Sequence, residues 1–219
     1  GNVKRFCQED DGIEVSSLDN DLTSNPKAQK LFGLENREIF FSQGVILVEG
    51  IDDKVRMRGF LGSENTNLFV MDGLQNLPRT QAICDQLDIN FRTIVDLDYL
   101  RAFDELMPDL TVEEAEYIDE VKSLTALEGK ITDEKLSKEL NKIKRGIIDN
   151  KLKCLSSKIK LKMDSDADYK RVVMKKIKEL QADGIFVLEQ GMIEDYLDEN
   201  GIPKSPELEK ELQSTLDFA

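Results

Sequence analysis

The sequence predicts an α/β fold: a mostly parallel four-stranded sheet flanked by helices, with a helical subdomain inserted before the last strand. Three observations predict it. Short apolar runs bounded by glycine or acids recur, as GVILVEG (44–50), NLFVMDG (67–73), FRTIVDLD (91–98) and GIFVLE (184–189). Runs apolar on both faces suit central parallel strands. Helical spacing fills the gaps between the early runs, which is the rhythm of βαβ units. Between the third and fourth runs, residues 100–182 read as helical by pattern.

Residues 1–36 form a lead-in. Residues 3–7 and 12–18 are short and partly alternating, as edge strands are. Ser24-Asn25-Pro26 is a turn, with Pro26 suited to open a short helix that Gly33 stops. This segment is too small to close its own core. After the first strand, residues 52–60 have helical spacing. Residues 77–87 form the next helix, with Leu77, Ile83 and Leu87 inward and Cys84 in the core.

In the helical stretch, Thr111-x-x-Glu114 is a capping box, and Thr132 with Asp133 and Glu134 opens another helix. Ile143, Ile147 and Ile148 predict one buried stripe; Leu152, Leu155, Ile159 and Leu161 predict a second. A helix over 169–180 should turn Val172, Val173, Met174, Ile177 and Leu180 inward. Asp164-Ser-Asp-Ala-Asp168 mimics an EF-hand start. Tyr169 stands where that loop needs Gly and Lys175 where it needs Glu, so it reads as a helix N-cap cluster. Residues 191–197 turn into a helix that Asn200-Gly201-Ile202-Pro203 ends, and 204–219 is an amphipathic, charged tail.

Composition narrows the chemistry. The 219 residues contain no histidine and no tryptophan. Ser-His-Asp and Cys-His catalysis, imidazole-held zinc and a histidine base are all excluded. Cys7, Cys84 and Cys154 are odd in number and widely spaced, with no CxxC pair. No disulfide framework is expected, and a reducing cytoplasm is the expected location. No apolar stretch approaches the roughly 20 residues that span a bilayer. The N-terminus lacks an initiator Met and signal-peptide character, and the chain reads as a piece of a longer protein.

Net charge is −14, from 44 Asp and Glu against 30 Lys and Arg. Bulk charge therefore argues against nucleic acid. Yet bases dominate residues 142–178, including Lys151, Lys153, Lys158 and Lys160. That stretch reads either as a phosphate-contacting patch or as a solvated helical face paired with the acidic segment before it.

Four acidic sites recur near strand ends. Glu49 closes the first strand, with Asp53 one helical turn on. Asp96 and Asp98 close the third, and Glu194 follows the fourth. Carboxyl ends of parallel strands share one edge, where ligands bind. Residues 96 and 98, two apart in extended chain, would point to one face. Singly, an Asp-x-Asp or Glu-Gly is ordinarily a turn or a cap. Converging carboxylates repel and take up protons or hard cations.

These residues carry a resemblance. LVEGIDD (47–53) followed by VDLD (95–98) resembles the Toprim fold, a Rossmannoid domain shared by primases, topoisomerases and nucleases. More narrowly it is similar to the OLD (overcoming lysogenisation defect) family, which joins an ABC-type ATPase to a Toprim nuclease. The lead-in REIFFSQGVILVEG (37–50), the turn in MDGLQNL (71–77) and FVLEQGMIEDYL (186–197) are similar to the same family. The resemblance implies a Toprim domain over 37–100 and 183–219, a helical insertion over 101–182, and a lead-in over 1–36 from an ATPase domain. It assigns Glu49, Asp53 and Asp96 to one metal site, and Asp98 and Glu194 to a second, with Asp96 shared. It implies two Mg2+ or Mn2+ ions, with Ca2+ as a further ion the site binds. Its reaction is metal-dependent DNA cleavage by an endonuclease or nickase. Partners implied are DNA, the ATPase domain, a helicase and a homo-oligomeric copy, with a role in phage defence. The family's late lysine has its nearest counterpart in Lys204, whose Gly-Ile-Pro-Lys-Ser setting departs from the pattern. Two other readings stand beside it: a non-catalytic Toprim module that organises an ATPase assembly, and a primase- or topoisomerase-like Toprim.

Overall fold

The computed structural model describes residues 4–9, 12–18, 41–42, 44–62, 67–108, 112–128, 131, 134–147 and 155–216. Pro26 and its short helix, Thr111, Thr132, Asp133, Ile148, Lys151, Leu152, Lys153 and Cys154 lie outside them. In chain order the elements are β1 (Lys4–Glu9), β2 (Gly12–Ser17), β3 (Gly44–Val48), α1 (Ile51–Leu61), β4 (Leu68–Val70), α2 (Leu77–Gln86) and β5 (Asn90–Val95). There follow α3 (Val112–Glu128), α4 (Glu134–Ile147), α5 (Leu155–Ser165), α6 (Ala167–Ala182), β6 (Ile185–Val187), α7 (Ile193–Tyr196) and α8 (Pro206–Leu216). No helix among the described residues is long and apolar enough to cross a membrane.

The chain divides into two compact units. The first comprises Gly1–Val95, Glu179–Leu188 and Met192–Ala219. Its sheet has the order β4-β3-β5-β6, and every pairing is parallel. Leu47 stands opposite Phe69 on one side and Thr93 on the other. From β3 the chain crosses first to β4 and then to β5 on the opposite flank, so the topological switch lies between β3 and β5. Open α/β sheets bind ligands outside the carboxyl ends at such a point. Glu49 follows β3 directly, and in sequence Asp96 follows β5.

Both faces of β3 are buried, which is why its run is continuously apolar. Ile46 and Val48 join Met57 of α1, Ile94 of β5, Leu188, and Ile193, Tyr196 and Leu197 around α7, with Leu212 of α8. On the alternate face Val45 and Leu47 are equally buried. Leu77, Ile83 and Leu87 turn inward from α2 as their spacing predicts. Fully burying such a side chain is worth about 1.5–3 kcal/mol. The Cys84 thiol is buried, free, and pushed up to about 12 by burial first and then by Asp85, so it is inert as a nucleophile.

The lead-in strands form an antiparallel hairpin with Phe6 opposite Val15. Arg5 holds it: the buried guanidinium donates to the carbonyls of Leu87 (2.6 Å), Asp88 and Ser42 (2.7 Å). Carbonyl acceptors satisfy the buried charge without neutralising it.

The second unit comprises Asp96–Lys178 and Glu189–Gly191. It opens with 3-10 turns over Leu97–Ala102 and Asp104–Leu106, followed by α3 to α5 and most of α6. Three stripe assignments need correction. On α4 Leu140 and Lys144 are buried among the described side chains, and Ile143 is exposed. On α5 they are Leu155, Ser156, Ile159 and Met163, and Leu161 is 67% exposed. On α6 Val173 and Ile177 are buried while Val172 faces out. In each case the apolar residue lies one or two places off the i, i+3/i+4 stripe, and helix geometry turns it away from the core. The acidic cluster is the cap expected: Asp166 accepts from the backbone N–H of Asp168 (3.0 Å) and Tyr169 (2.9 Å) at the start of α6.

Candidate metal-binding carboxylate site

Helix α1 begins directly after the β3–Glu49–Gly50 turn. Asp53 sits in its first turn and its Oδ2 accepts the Gly50 N–H at 2.8 Å. The same device opens α7, where Asp195 Oδ2 accepts the Met192 N–H at 2.8 Å. An N3 carboxylate that takes the N-cap donor fixes the entry to a helix and complements its dipole.

Glu49 is half-buried. Its backbone is gripped by the turn after β4: Met71 donates to Val48 O (2.9 Å) and Gly73 to Glu49 O (3.1 Å). That turn needs left-handed backbone, with φ 56° at Asp72 and 100° at Gly73. Asn76 Nδ2 closes it by donating to Met71 O (2.8 Å) and Asp72 O (3.0 Å). The Gly-x-x-Asn pattern thus buttresses the loop that presents Glu49.

Glu194 reaches the same unit through a long sequence separation. Its segment meets α1 at Arg56 and Gly59, one helical turn apart. Arg56 Nε lies 3.6 Å from Glu194 Oε1, and Arg56 Nη1 donates to Leu197 O at 3.4 Å. At the far end the two backbones touch. A Cβ on Gly59 would lie 2.0 Å from Asn200 O, and one on Gly201 2.2 Å from Arg56 O. Gly201 also has φ 80°, which favours glycine. Asp198 shapes that turn by accepting from the N–H groups of Asn200 (2.8 Å) and Ile202 (2.9 Å). The Ile202 bond chiefly holds the Asp198 carboxyl below its usual range.

The electrostatics of Asp53 record this crowding. Burial pushes its pKa up; the Gly50 hydrogen bond opposes that; the charges of Glu194 and Asp52 add to the rise, and Arg56 lowers it. A carboxylate so placed favours a proton or a cation. The donors are oxygen only, which suits hard divalent cations such as Mg2+, Mn2+ or Ca2+.

Asp96 and Asp98 open the second unit, and they do not lie together on an extended strand as their spacing predicts. The strand ends at Val95. Asp96 is still extended, but Leu97 begins a 3-10 turn, so residues 96 and 98 do not share a face by strand alternation. Asp98 instead pairs with Arg101 one turn on, through both its carboxylate and its carbonyl oxygen. The turn is tied by Leu97 N–H to Gly191 O at 2.7 Å. Lys204 is exposed, and its backbone N–H donates to Tyr196 O.

Glu49, Asp53 and Glu194 therefore fall in one unit, and Asp96 and Asp98 in the other. Among the described residues no three His, Cys, Asp or Glu form a ready-made metal group. Sequence reasoning missed Arg56, Gly59 and Gly201. One signal was present: a glycine inside a helix costs about 1 kcal/mol against alanine, so Gly59 advertises close backbone contact.

Residues 40–98 match the family model described as overcoming lysogenization defect protein-like, TOPRIM domain. The match takes in Glu49, Asp53, Asp96 and Asp98 and stops short of Glu194. Toprim domains generally bind divalent metal ions and act in nucleic-acid chemistry. No curated protein matches the chain.

Proposed function

With residues 40–98 an OLD-like Toprim domain, we propose that this chain is the catalytic part of a metal-dependent DNA nuclease, which nicks or cuts by hydrolysing phosphodiester bonds. Glu49, Asp53, Asp96, Asp98 and Glu194 are its proposed ligand set. The observation that carries the reading is Asp53: a carboxylate fixed by backbone, partly buried, and crowded by Glu194 at the carboxyl side of a parallel sheet. When bound, a pair of divalent ions supplies water activation at neutral pH and neutralises charge developing on the phosphate. The protein's own work is positional. Gly50 and the Gly73–Asn76 turn hold Asp53 and Glu49 in place, and the Gly59–Gly201 contact seats Glu194. DNA is the proposed partner, along with the ATPase domain of the full-length protein, a helicase and a second copy; the proposed setting is the cytoplasm.

One observation favours the second reading, a non-catalytic Toprim module. Asp98 and Glu194, the acids assigned to a second ion, each face an arginine. Incubation with supercoiled plasmid separates the two. The nuclease reading predicts nicking with Mg2+ or Mn2+, none in chelator, and little with Ca2+, whose looser coordination aligns reacting groups less well. Plasmid that stays supercoiled with every metal supports the module.

A further inference from the structure

Arg56 is a cation already standing where the proposed function needs another. It lies one helical turn beyond Asp53 on α1, and its Nε faces Glu194 Oε1 at 3.6 Å. That Nε is buried and has no hydrogen-bond partner, so the ion pair is not closed. Nη1 is anchored on Leu197 O at 3.4 Å. The side chains are 21% and 42% exposed, a setting in which ion pairs are weak. The Gly59–Gly201 contact, not the ion pair, supplies the rigid docking of this segment.

We propose that Arg56 is a resident counter-ion and positioning residue of the Asp53–Glu194 pair, which a divalent cation must displace from Glu194 in order to bind. The inference rests on the metal-binding reading above and adds a regulation to it. Without a divalent ion, Arg56 offsets the repulsion between Asp53 and Glu194 and keeps Glu194 facing α1. With an ion, Glu194 turns from guanidinium to metal, while Leu197 O retains Arg56. A fixed positive charge beside a divalent one is repulsive at any realistic dielectric, so the same residue that preassembles the site also weakens its cation affinity.

Calorimetric titration with Ca2+ and with Mn2+, in the absence of DNA, tests this. Arg56→Gln should bind about tenfold more tightly than wild type, from loss of one nearby charge. Arg56→Lys keeps the charge and should stay close to wild type. In a Glu194→Gln background, Arg56→Gln should gain distinctly less, because no displacement remains to be relieved. A second measurement needs no variant to fold: in the labelled wild-type protein, the Arg56 Nε–H resonance should move as Ca2+ is added. Equal or weaker affinity in Arg56→Gln, or an unmoved Arg56 resonance while Ca2+ binds, overturns the proposal. The underlying reading fails differently, through absence of binding in the wild type or unchanged affinity in both Asp53→Asn and Glu194→Gln.

Discussion

The two units handle carboxylates in different ways. In the sheet unit the backbone holds three of them, Asp53 on Gly50, Asp195 on Met192, and Asp198 on Asn200 and Ile202, while Glu194 faces the Arg56 side chain. In the helical unit side chains hold them: Asp98 on Arg101, Asp104 on Lys122, Asp164 on Lys160, Asp168 on Arg171. Backbone donors are aimed by the fold, with no rotamer entropy of their own to lose. Exposed pairs one helical turn apart contribute only about 0.2–0.5 kcal/mol each. The first arrangement leaves a carboxylate fixed with an oxygen to spare for other chemistry. The second solvates a helix. Asp166, a helix cap, is the helical unit's counterexample.

The sharpest way to break this comparison is to add one methyl group in each unit. Gly201→Ala should destabilise by about 2–4 kcal/mol, from overpacking against Arg56 O together with left-handed strain. Gly59→Ala should lose about 1–3 kcal/mol from the clash with Asn200 O alone. Gly146 on α4 has open space around its Cβ position. Gly146→Ala should therefore gain up to about 1 kcal/mol. Denaturant midpoints of the three variants decide it. Equal effects would mean the α1–Gly201 contact is not the rigid element described.

A smaller effect separates two aspartates by pH. Asp53 has a raised pKa, so its contribution to stability is fully present below the ordinary 3.8 and is lost as pH rises through the folded value. Asp53→Asn, measured in chelator, should thus be more stable than wild type near neutrality and lose that advantage in acid. Asp198 has a lowered pKa, so its support is present above 3.8 and is lost as pH falls through the folded value. Asp198→Asn should be less stable than wild type near neutrality, with the gap closing in acid. Curves of the same sign would break the distinction between a crowded carboxylate and a satisfied one.

The smallest expected effect concerns the helical unit's surface. Lys142, Lys170 and Lys178 are exposed. Reversing all three to Glu should flatten the salt dependence of DNA binding, by about one unit of slope for each phosphate no longer neutralised. The exposed pairs Lys160–Asp164 and Arg171–Asp168 favour the alternative, a solvated face, and an unchanged slope would establish it.

Legibility in the sequence follows the same division. Both-face burial makes a parallel strand read as a continuous apolar run, so β3 stands out most clearly, and Leu77, Ile83 and Leu87 point where their spacing says. The glycine-ended strand and the acid four residues on mark Glu49 and Asp53 as candidates, and the structure places both in the sheet unit. Three things were not legible. The 3-10 turn at Leu97 follows a run with no breaker residue, so the sequence extends the strand through Asp98 where the structure ends it at Val95. In α4 to α6, charged side chains with apolar stems compete with aliphatics for the buried face, as buried Lys144 and exposed Ile143 demonstrate. The Arg56–Glu194 pair joins residues far apart in sequence through a tertiary contact that leaves no local pattern except Gly59.

The central proposal is that Glu49 and Asp53, at the carboxyl end of β3, hold a divalent ion for DNA cleavage. The direct measurement is Mn2+-supported nicking of supercoiled plasmid by wild type, Glu49→Ala, Asp53→Ala and the double variant, with folding checked by thermal unfolding. The account predicts that each single variant loses nearly all activity and the double loses little more, because ligands of one site act as a unit. Nicking that continues at the wild-type rate in both folded single variants would contradict it.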